Sequence, residues 1–431
     1  MKRKIYQQLL HWKESEERKP LILLGARQVG KTWIMQHFGN QEYKKVAYIN
    51  CDDEPRAKEL FQLDYDIQRI LLTLQAITGV KITPGDTLLI LDEIQESPRA
   101  LHSLKYFCEK ASEYHVMVAG SLLGVTIGSG ESFPVGKVDM MTMHPMDFEE
   151  FLSATGNEGY VQLLHAKDWN AINVILPKLT ELLRQYYYVG GMPDIVKNFI
   201  EHKDLQQTRK LQQNILEAYS RDISKHTSPL ESTRIRQILS VLPGQLAKEN
   251  KKFVYGAVKK GARAKDFEIA LQWLQDAGIV SKVTRIKEPK LPIKFYEDID
   301  NFKLFFLDCG LLACMVDAPA SQMLVGNNVF TEFKGAFTEQ FVFQQLKATG
   351  LVPYYWSNDK TPAEIDFIIQ FEERVIPIEV KAEENVRAKS LAQFIKDNPE
   401  LKGLRFSMKG YADQGWMENV PLPAISAILG R

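Results

Sequence analysis

Gly25-Ala26-Arg27-Gln28-Val29-Gly30-Lys31-Thr32 decides the reading of the first third of the chain. Its glycines let the backbone curl so that successive amides point inward at phosphate oxygens, and a helix starting near Gly30 adds its positive end. The flanks agree with this. Pro20-Leu21-Ile22-Leu23-Leu24 is a short, continuous apolar run, the pattern of a strand buried on both faces, and Thr32 to Phe38 follows with helical spacing. In such a loop Lys31 reaches the β- and γ-phosphates and the Thr32 hydroxyl holds Mg²⁺. Nucleotide contact is therefore expected of Gly25, Ala26, Arg27, Gln28, Val29, Gly30, Lys31, Thr32 and the next residue, Trp33. The alternative is a glycine turn that merely precedes a helix; strand, helix and Lys-Thr together argue against it.

Working outward, Leu9 to Arg18 reads as a polar lead-in helix, and further strands are expected at Val46–Asn50, Thr87–Leu91, Val116–Ala119 and Val138–Met143, with helical patterns between several of them. That alternation predicts an α/β fold with a doubly wound parallel sheet, its site at the carboxyl ends of the strands. The third strand ends in Asp92-Glu93. Asp92 is expected to bind Mg²⁺, directly or through water, and Glu93 to polarise the attacking water. Ser121, after the fourth strand, reads equally as a sensor of the γ-phosphate or as a helix N-cap. The expected reaction is ATP hydrolysis with Mg²⁺. A small-molecule kinase fits less well, because Asp92-Glu93 suits attack by water.

The 431 residues exceed what one core usually holds, so two or three domains are expected. Hydrophobic residues make up 45% and charged residues 25%, ordinary for a globular protein, and the formal net charge is zero. Overall charge thus advertises neither nucleic acid nor membrane, and any such surface must be local. Cys51, Cys108, Cys309 and Cys314 show no metal-type pairing and fit a reduced, cytoplasmic compartment. No signal peptide, membrane-spanning stretch or internal repeat is read.

From about Asp147 to Glu231 the pattern is mostly helical, broken by a turn at Gly190-Gly191-Met192-Pro193. Lys251, Lys252, Lys259, Lys260, Arg263 and Lys265 then fall in one stretch with no acid before Asp266. Ala264–Ala277 reads as an amphipathic helix and Ile279–Arg285 as an alternating ribbon, which together suggest a winged helix. The positive charge suits a DNA backbone, or equally a solvated face on a unit that packs subunits. Glu288 to Pro292 reads as a linker.

The loop at residues 25–32, Asp92-Glu93-Ile94-Gln95, Gly190-Gly191-Met192-Pro193 and Ile378-Glu379-Val380-Lys381 together resemble a widespread group of bacterial and archaeal AAA-type ATPases that carry a C-terminal domain of unknown function. The resemblance spans nearly the whole chain in the same order. It implies a P-loop core, a helical lid, a winged helix and a restriction-endonuclease-like end. It also implies a homo-oligomer, such as a ring in which an arginine of one subunit reaches the γ-phosphate of the next. Arg184 and Arg221 are candidates by location only. Where many members of the group have a Gly-Arg pair after the fourth strand, this chain has Gly136-Lys137.

Glu339 lies in a helical stretch; Glu364–Ile369 and Ile376–Lys381 read as neighbouring strands. Asp366, then Glu379 and Lys381 one residue apart, is a nuclease motif, and alternation puts Glu379 and Lys381 on one face. Asp366 and Glu379 would hold Mg²⁺, Lys381 would orient or deprotonate water, and Glu339 would complete the site. The proline usual before the first acid is absent, and edge strands with ordinary ion pairs are the plain alternative. Arg387, Lys389 and Lys396 would line a DNA path or face water. The expected division is 1–150 core, 151–231 lid, 232–300 winged helix and 301–431 C-terminal α/β domain. The leading function is an ATP-hydrolysing, AAA-type protein acting on DNA with a Mg²⁺-dependent nuclease-like end. The alternative is a nucleotide-dependent switch or assembly module whose C-terminal domain only binds a partner.

Overall fold

Apolar runs that read as doubly buried strands should stack side by side, and they do. The computed structural model describes residues 1–120, 133–248, 251–325, 331–382 and 388–430. They form two compact units, one of Lys2–His144 with Asp276–Gly278, the other of Pro145–Gln275 with Ile279–Arg431.

The first unit is built on strands β1 (Leu21–Leu24), β2 (Lys45–Asn50), β3 (Thr87–Asp92), β4 (His115–Ala119) and β5 (Asp139–Thr142). They pair in the order β2-β3-β4-β1-β5, parallel throughout, as the alternation of strand and helix predicts. Every residue of β3 and β4 is buried, which is why residues 88–91 and 116–119 are continuous apolar runs. Helices Pro55–Leu63, Ile67–Thr78 and Pro98–Lys110 bury Leu60, Phe61, Ile70, Leu74, Leu104 and Phe107 in one core with β-strand residues Ile49, Leu89 and Val116. The lead-in helix runs Ile5–Glu14, four residues earlier than the sequence suggests. Ile5, Leu9 and Trp12 share its buried face, and that spacing sets the helix start.

The second unit begins with six helices, from Phe148–Ala154 to Pro229–Leu246. The turn at Gly190-Gly191 falls between helices Trp169–Val189 and Pro193–His202. A Cβ on Gly191 would run into the backbone of Met146, and the Gly191 amide donates to Asp308 Oδ2 at 2.7 Å. The short helix Tyr255–Val258 and the helix Ala264–Asp276 follow. Then comes an eight-stranded mixed sheet of β6 (Val280–Ile286), β7 (Glu297–Phe306), β8 (Tyr354–Ser357), β9 (Glu364–Phe371), β10 (Arg374–Lys381), β11 (Gly403–Ser407), β12 (Ala412–Asp413) and β13 (Met417–Pro421). The stretch Glu288–Pro292, read as a linker, lies instead inside the β6–β7 hairpin. Ile286 and Ile293 on either side of it are buried with Ile365, Ile368 and Phe394, so the chain turns back there. β6 also meets β8 at Arg285 and Tyr355, which joins the ribbon to the C-terminal strands in one sheet.

His115, the first residue of β4, is buried, and the Tyr43 hydroxyl meets its Nδ1 at 2.6 Å. Burial, with help from Arg18 and Lys13, pushes its pKa from 6.5 down to about 4. The unfolded chain therefore takes up this proton first as pH falls, so the contribution is full above pH 6.5 and is lost towards pH 4. His115→Asn should flatten the dependence of thermal stability on pH across this window, measured by denaturation of the full chain at several pH values.

Candidate functional site

The phosphate loop connects β1 to the helix Lys31–Glu42. Gly30 caps that helix with φ +95°, a left-handed backbone that a residue with a Cβ adopts only at a cost. The helix therefore starts at Lys31, and the Lys31 side chain folds back over the loop. Its Nζ donates to the carbonyls of Gly25 and Ala26, both at 2.8 Å. Burial pushes its pKa from 10.5 down to about 8, with Glu93 and Asp92 pulling it back up. Its hydrogen bonds go to carbonyl dipoles, and an anion in the loop would offset the cost of burying the ammonium.

Thr32 Oγ1 donates to Asp92 Oδ2 at 2.6 Å. These two oxygens come from different elements and are the pair that the sequence assigns to Mg²⁺. Asp92 sits at the end of β3, which is not beside β1, because β4 lies between them. The two meet because both leave the sheet at its carboxyl edge. Burial raises the Asp92 pKa, opposed by hydrogen bonds from Thr32, the Glu93 amide and Tyr48. The donor set suits a hard cation: a hydroxyl and a carboxylate already in contact, inside a site that penalises an uncompensated carboxylate. Glu93 follows in a left-handed backbone, φ 48°, and accepts from Gln95 Nε2 at 2.6 Å. Such a conformation costs a non-glycine residue about 1–2 kcal/mol.

Two residues of this site went unread in the sequence. Tyr48 on β2 donates to Asp92 Oδ2 at 3.1 Å; its place in an alternating strand was the available signal. Arg3 is buried and donates to the carbonyls of Val29, at 3.0 Å, and His144, at 2.7 Å. It thus braces the loop from behind. Lys137 forms an ion pair with Glu109 at 3.0 Å. Ser121 and Arg387 lie outside the described residues.

The C-terminal acids are also brought together. β9 and β10 run antiparallel with Phe367 opposite Ile378, so Asp366 and Glu379 are neighbours one step on. Glu339 reaches them from the helix Thr331–Ala348. Each charge has a partner that the sequence reading did not foresee. Lys251 pairs with Glu339, Lys381 with Glu379, and Lys303 with Glu364, while Lys303 also lies 4.0 Å from Glu339. Burial alone would lower the Lys303 pKa, but Glu364, Glu339 and Asp366 outweigh it and hold the ammonium charged. Burial, then the charges of Glu339 and Glu379, drive the Asp366 pKa well above the carboxylate range, against the pull of Lys303 and Lys251. Its Oδ2 accepts from the Val380 amide at 2.7 Å. Lys251, Lys303 and Lys381 thus each stand against a carboxylate of the cluster.

The acids expected to hold Mg²⁺, Asp366 and Glu379, are thus neighbours in a cluster that also gathers lysines. Lysines occupy the electrostatic place of a cation. Among the described residues, no group of three or more His, Cys, Asp or Glu side chains is arranged to hold a metal ion. One feature points the other way: Glu339 Oε2 and Glu379 Oε2 are buried without a hydrogen-bond partner. Lys303 had a legible signal, a lone lysine inside the apolar strand Phe302-Lys303-Leu304-Phe305-Phe306. Lys251 departs from the exposed basic face expected of it, being partly buried and paired with Glu339, whereas Lys252, Lys259, Lys260, Arg263 and Lys265 are exposed. Arg221 is exposed and pairs with Glu217 at 3.5 Å, and Arg184 is half-buried.

Comparison with known proteins agrees with the fold of the N-terminal unit. Residues 17–152 match the family model described as an AAA domain. Residues 180–322 and 334–425 match two models, each described as a domain of unknown function (DUF8612 and DUF4143). No curated protein matches the chain. Among solved structures, the Walker-type ATPase PABY2304 of Pyrococcus abyssi is similar at 15% identity, over 73% of this chain and 95% of that one, with a TM-score of 0.45. The Aeropyrum pernix ORC1 protein in complex with DNA is similar at 10% identity, over 74% and 92%, with a TM-score of 0.28. AMPPCP-bound DnaA from Aquifex aeolicus is similar at 13% identity, over 63% and 85%, with a TM-score of 0.25. The AAA domain match and the parallel sheet make the N-terminal unit an AAA-type P-loop domain.

Removing the central ammonium of the C-terminal cluster should unbalance it. Lys303 is fully buried, so Lys303→Met should destabilise the protein by about 3–5 kcal/mol, as expected when one partner of a buried ion pair is lost. Adding Glu364→Gln should recover part of that loss; both are read by chemical denaturation of the full chain.

Proposed function

We propose that the chain is an ATP-hydrolysing, AAA-type protein that acts on DNA, with a C-terminal domain that binds its partner rather than cutting it. The observation that carries the ATPase reading is the Thr32–Asp92 contact at 2.6 Å beside a buried, carbonyl-held Lys31. Lys31 would exchange its loop carbonyls for the β- and γ-phosphates. Thr32 and Asp92 would hold Mg²⁺, which when bound supplies charge neutralisation at the triphosphate. Glu93, fixed by Gln95, would accept the proton of the attacking water. Lys31→Ala should weaken ATP binding at least about 100-fold, and Glu93→Gln should bind ATP normally while turnover falls about 100-fold or more. Calorimetry and phosphate release measure the two; a Lys31→Ala protein that bound ATP as the parent does would refute the reading.

The DNA reading rests on the exposed run Lys252, Lys259, Lys260, Arg263 and Lys265. Three helices and a ribbon in this order make 232–300 a proposed winged helix, with 151–231 as lid and 301–431 as a restriction-endonuclease-like domain. Assembly as a ring, with Arg221 or Arg184 acting across subunits, is part of the same proposal. Lys259→Glu/Lys260→Glu/Arg263→Glu should weaken DNA binding at low salt and make the salt dependence about three units shallower on a log–log plot. Equal affinities in parent and variant would remove the winged-helix role.

The pairing of the acids with lysines, Lys251 on Glu339, Lys303 on Glu364 and Lys381 on Glu379, favours binding over cutting in the C-terminal domain. Mg²⁺-dependent cleavage of duplex, branched or single-stranded DNA by the parent, absent in Asp366→Ala with ATPase intact, would restore the nuclease reading. Among the described residues, no helix is long and apolar enough to cross a membrane.

A further inference from the structure

Trp33 directly follows the residue assigned to Mg²⁺, yet it is 45% exposed. A large apolar ring left in water beside a phosphate loop calls for an explanation. Its surroundings give one. The His37 imidazole, one turn later on the same helix, stacks on the indole with ring centroids 4.6 Å apart and planes 14° from parallel. His37 in turn contacts Tyr6 at 5.9 Å. One face of the indole is therefore covered, and the ring is supported from the C-terminal side of the helix. Helical side chains lean back towards the helix N-terminus, over the preceding turn. The uncovered indole face is therefore the one turned away from His37, on the first turn of the helix that closes the loop.

We propose that the Trp33 indole, backed by His37, is the stacking platform for the base of the nucleotide whose phosphates the loop holds. This rests on the phosphate-loop reading above and adds the base-recognising residue to it. Stacking on an indole is strong for any flat base and is greatest for purines. It uses no hydrogen-bond pattern, so Trp33 would favour ATP and GTP over CTP and UTP without separating adenine from guanine. The face needs a backing ring because an unsupported exposed indole would lose entropy on binding.

The experiment compares ATP with inorganic tripolyphosphate, which offers the same phosphates without a base. For Trp33→Ala, the ATP dissociation constant should rise about 10-fold while that of tripolyphosphate stays within about twofold. Trp33→Phe, which keeps a ring, should recover most of the loss. ATP should also quench tryptophan fluorescence in the parent more than in Trp33→Phe, with tripolyphosphate quenching neither. Thermal melts confirm that each variant is folded. A parent that binds neither ligand overturns the loop reading and this proposal with it. A parent that binds both, with Trp33→Ala losing both equally or losing neither, overturns the platform alone.

Discussion

A chain that curls its backbone amides inward must also do something with the lysine it places among them. Lys31 is buried with an ammonium that only the carbonyls of Gly25 and Ala26 contact directly. These hydrogen bonds brace the loop, and an anion bound in it would offset the cost of burying the ammonium. Much of the N-terminal unit follows from holding that loop. β1 and β4 supply the floor, Asp92 anchors Thr32, and Arg3 ties Val29 and His144 together. The same carboxyl edge that gathers these groups also forces Glu93 into a left-handed backbone. Strain at that position is tolerated because β3 is completely buried and cannot shift to relax it.

The C-terminal cluster solves a related problem in the opposite way. Four acids, Glu339, Glu364, Asp366 and Glu379, converge where a parallel and an antiparallel pairing meet across β9, β10 and β11. Buried carboxylates need either a cation or protons. Here Lys251, Lys303 and Lys381 pair with Glu339, Glu364 and Glu379, and burial beside Glu339 and Glu379 raises the Asp366 pKa. The motif is spatially intact while its electrostatics are those of a closed ion-pair network. Motif geometry and site chemistry are separate questions, and only the charges around the acids answer the second.

How legible all this was varies by distance along the chain. The strands of the P-loop sheet could be read because each is a local apolar run, and its loop because eight adjacent residues carry it. The helix start at Ile5 was missed because the polar tail Ser15–Arg18 masked the Ile5, Leu9, Trp12 face. The β6–β7 hairpin was missed because two prolines made its loop look like a boundary, although Ile293 within the connection is buried.

The sequence by itself determined the parallel α/β core, the phosphate loop and the identity of Thr32, Asp92 and Glu93, since each depends on local pattern and on short-range backbone rules. Only the tertiary structure decided that β4 separates β1 from β3, that Tyr48 and Arg3 belong to the loop's surroundings, and that Lys251 and Lys303 fill the C-terminal acid cluster. Lys251 and Glu339 stand 88 residues apart, and Lys303 and Glu364 stand 61 apart. Which charges meet inside a protein is set by how distant segments pack, and no local pattern in the chain encodes it.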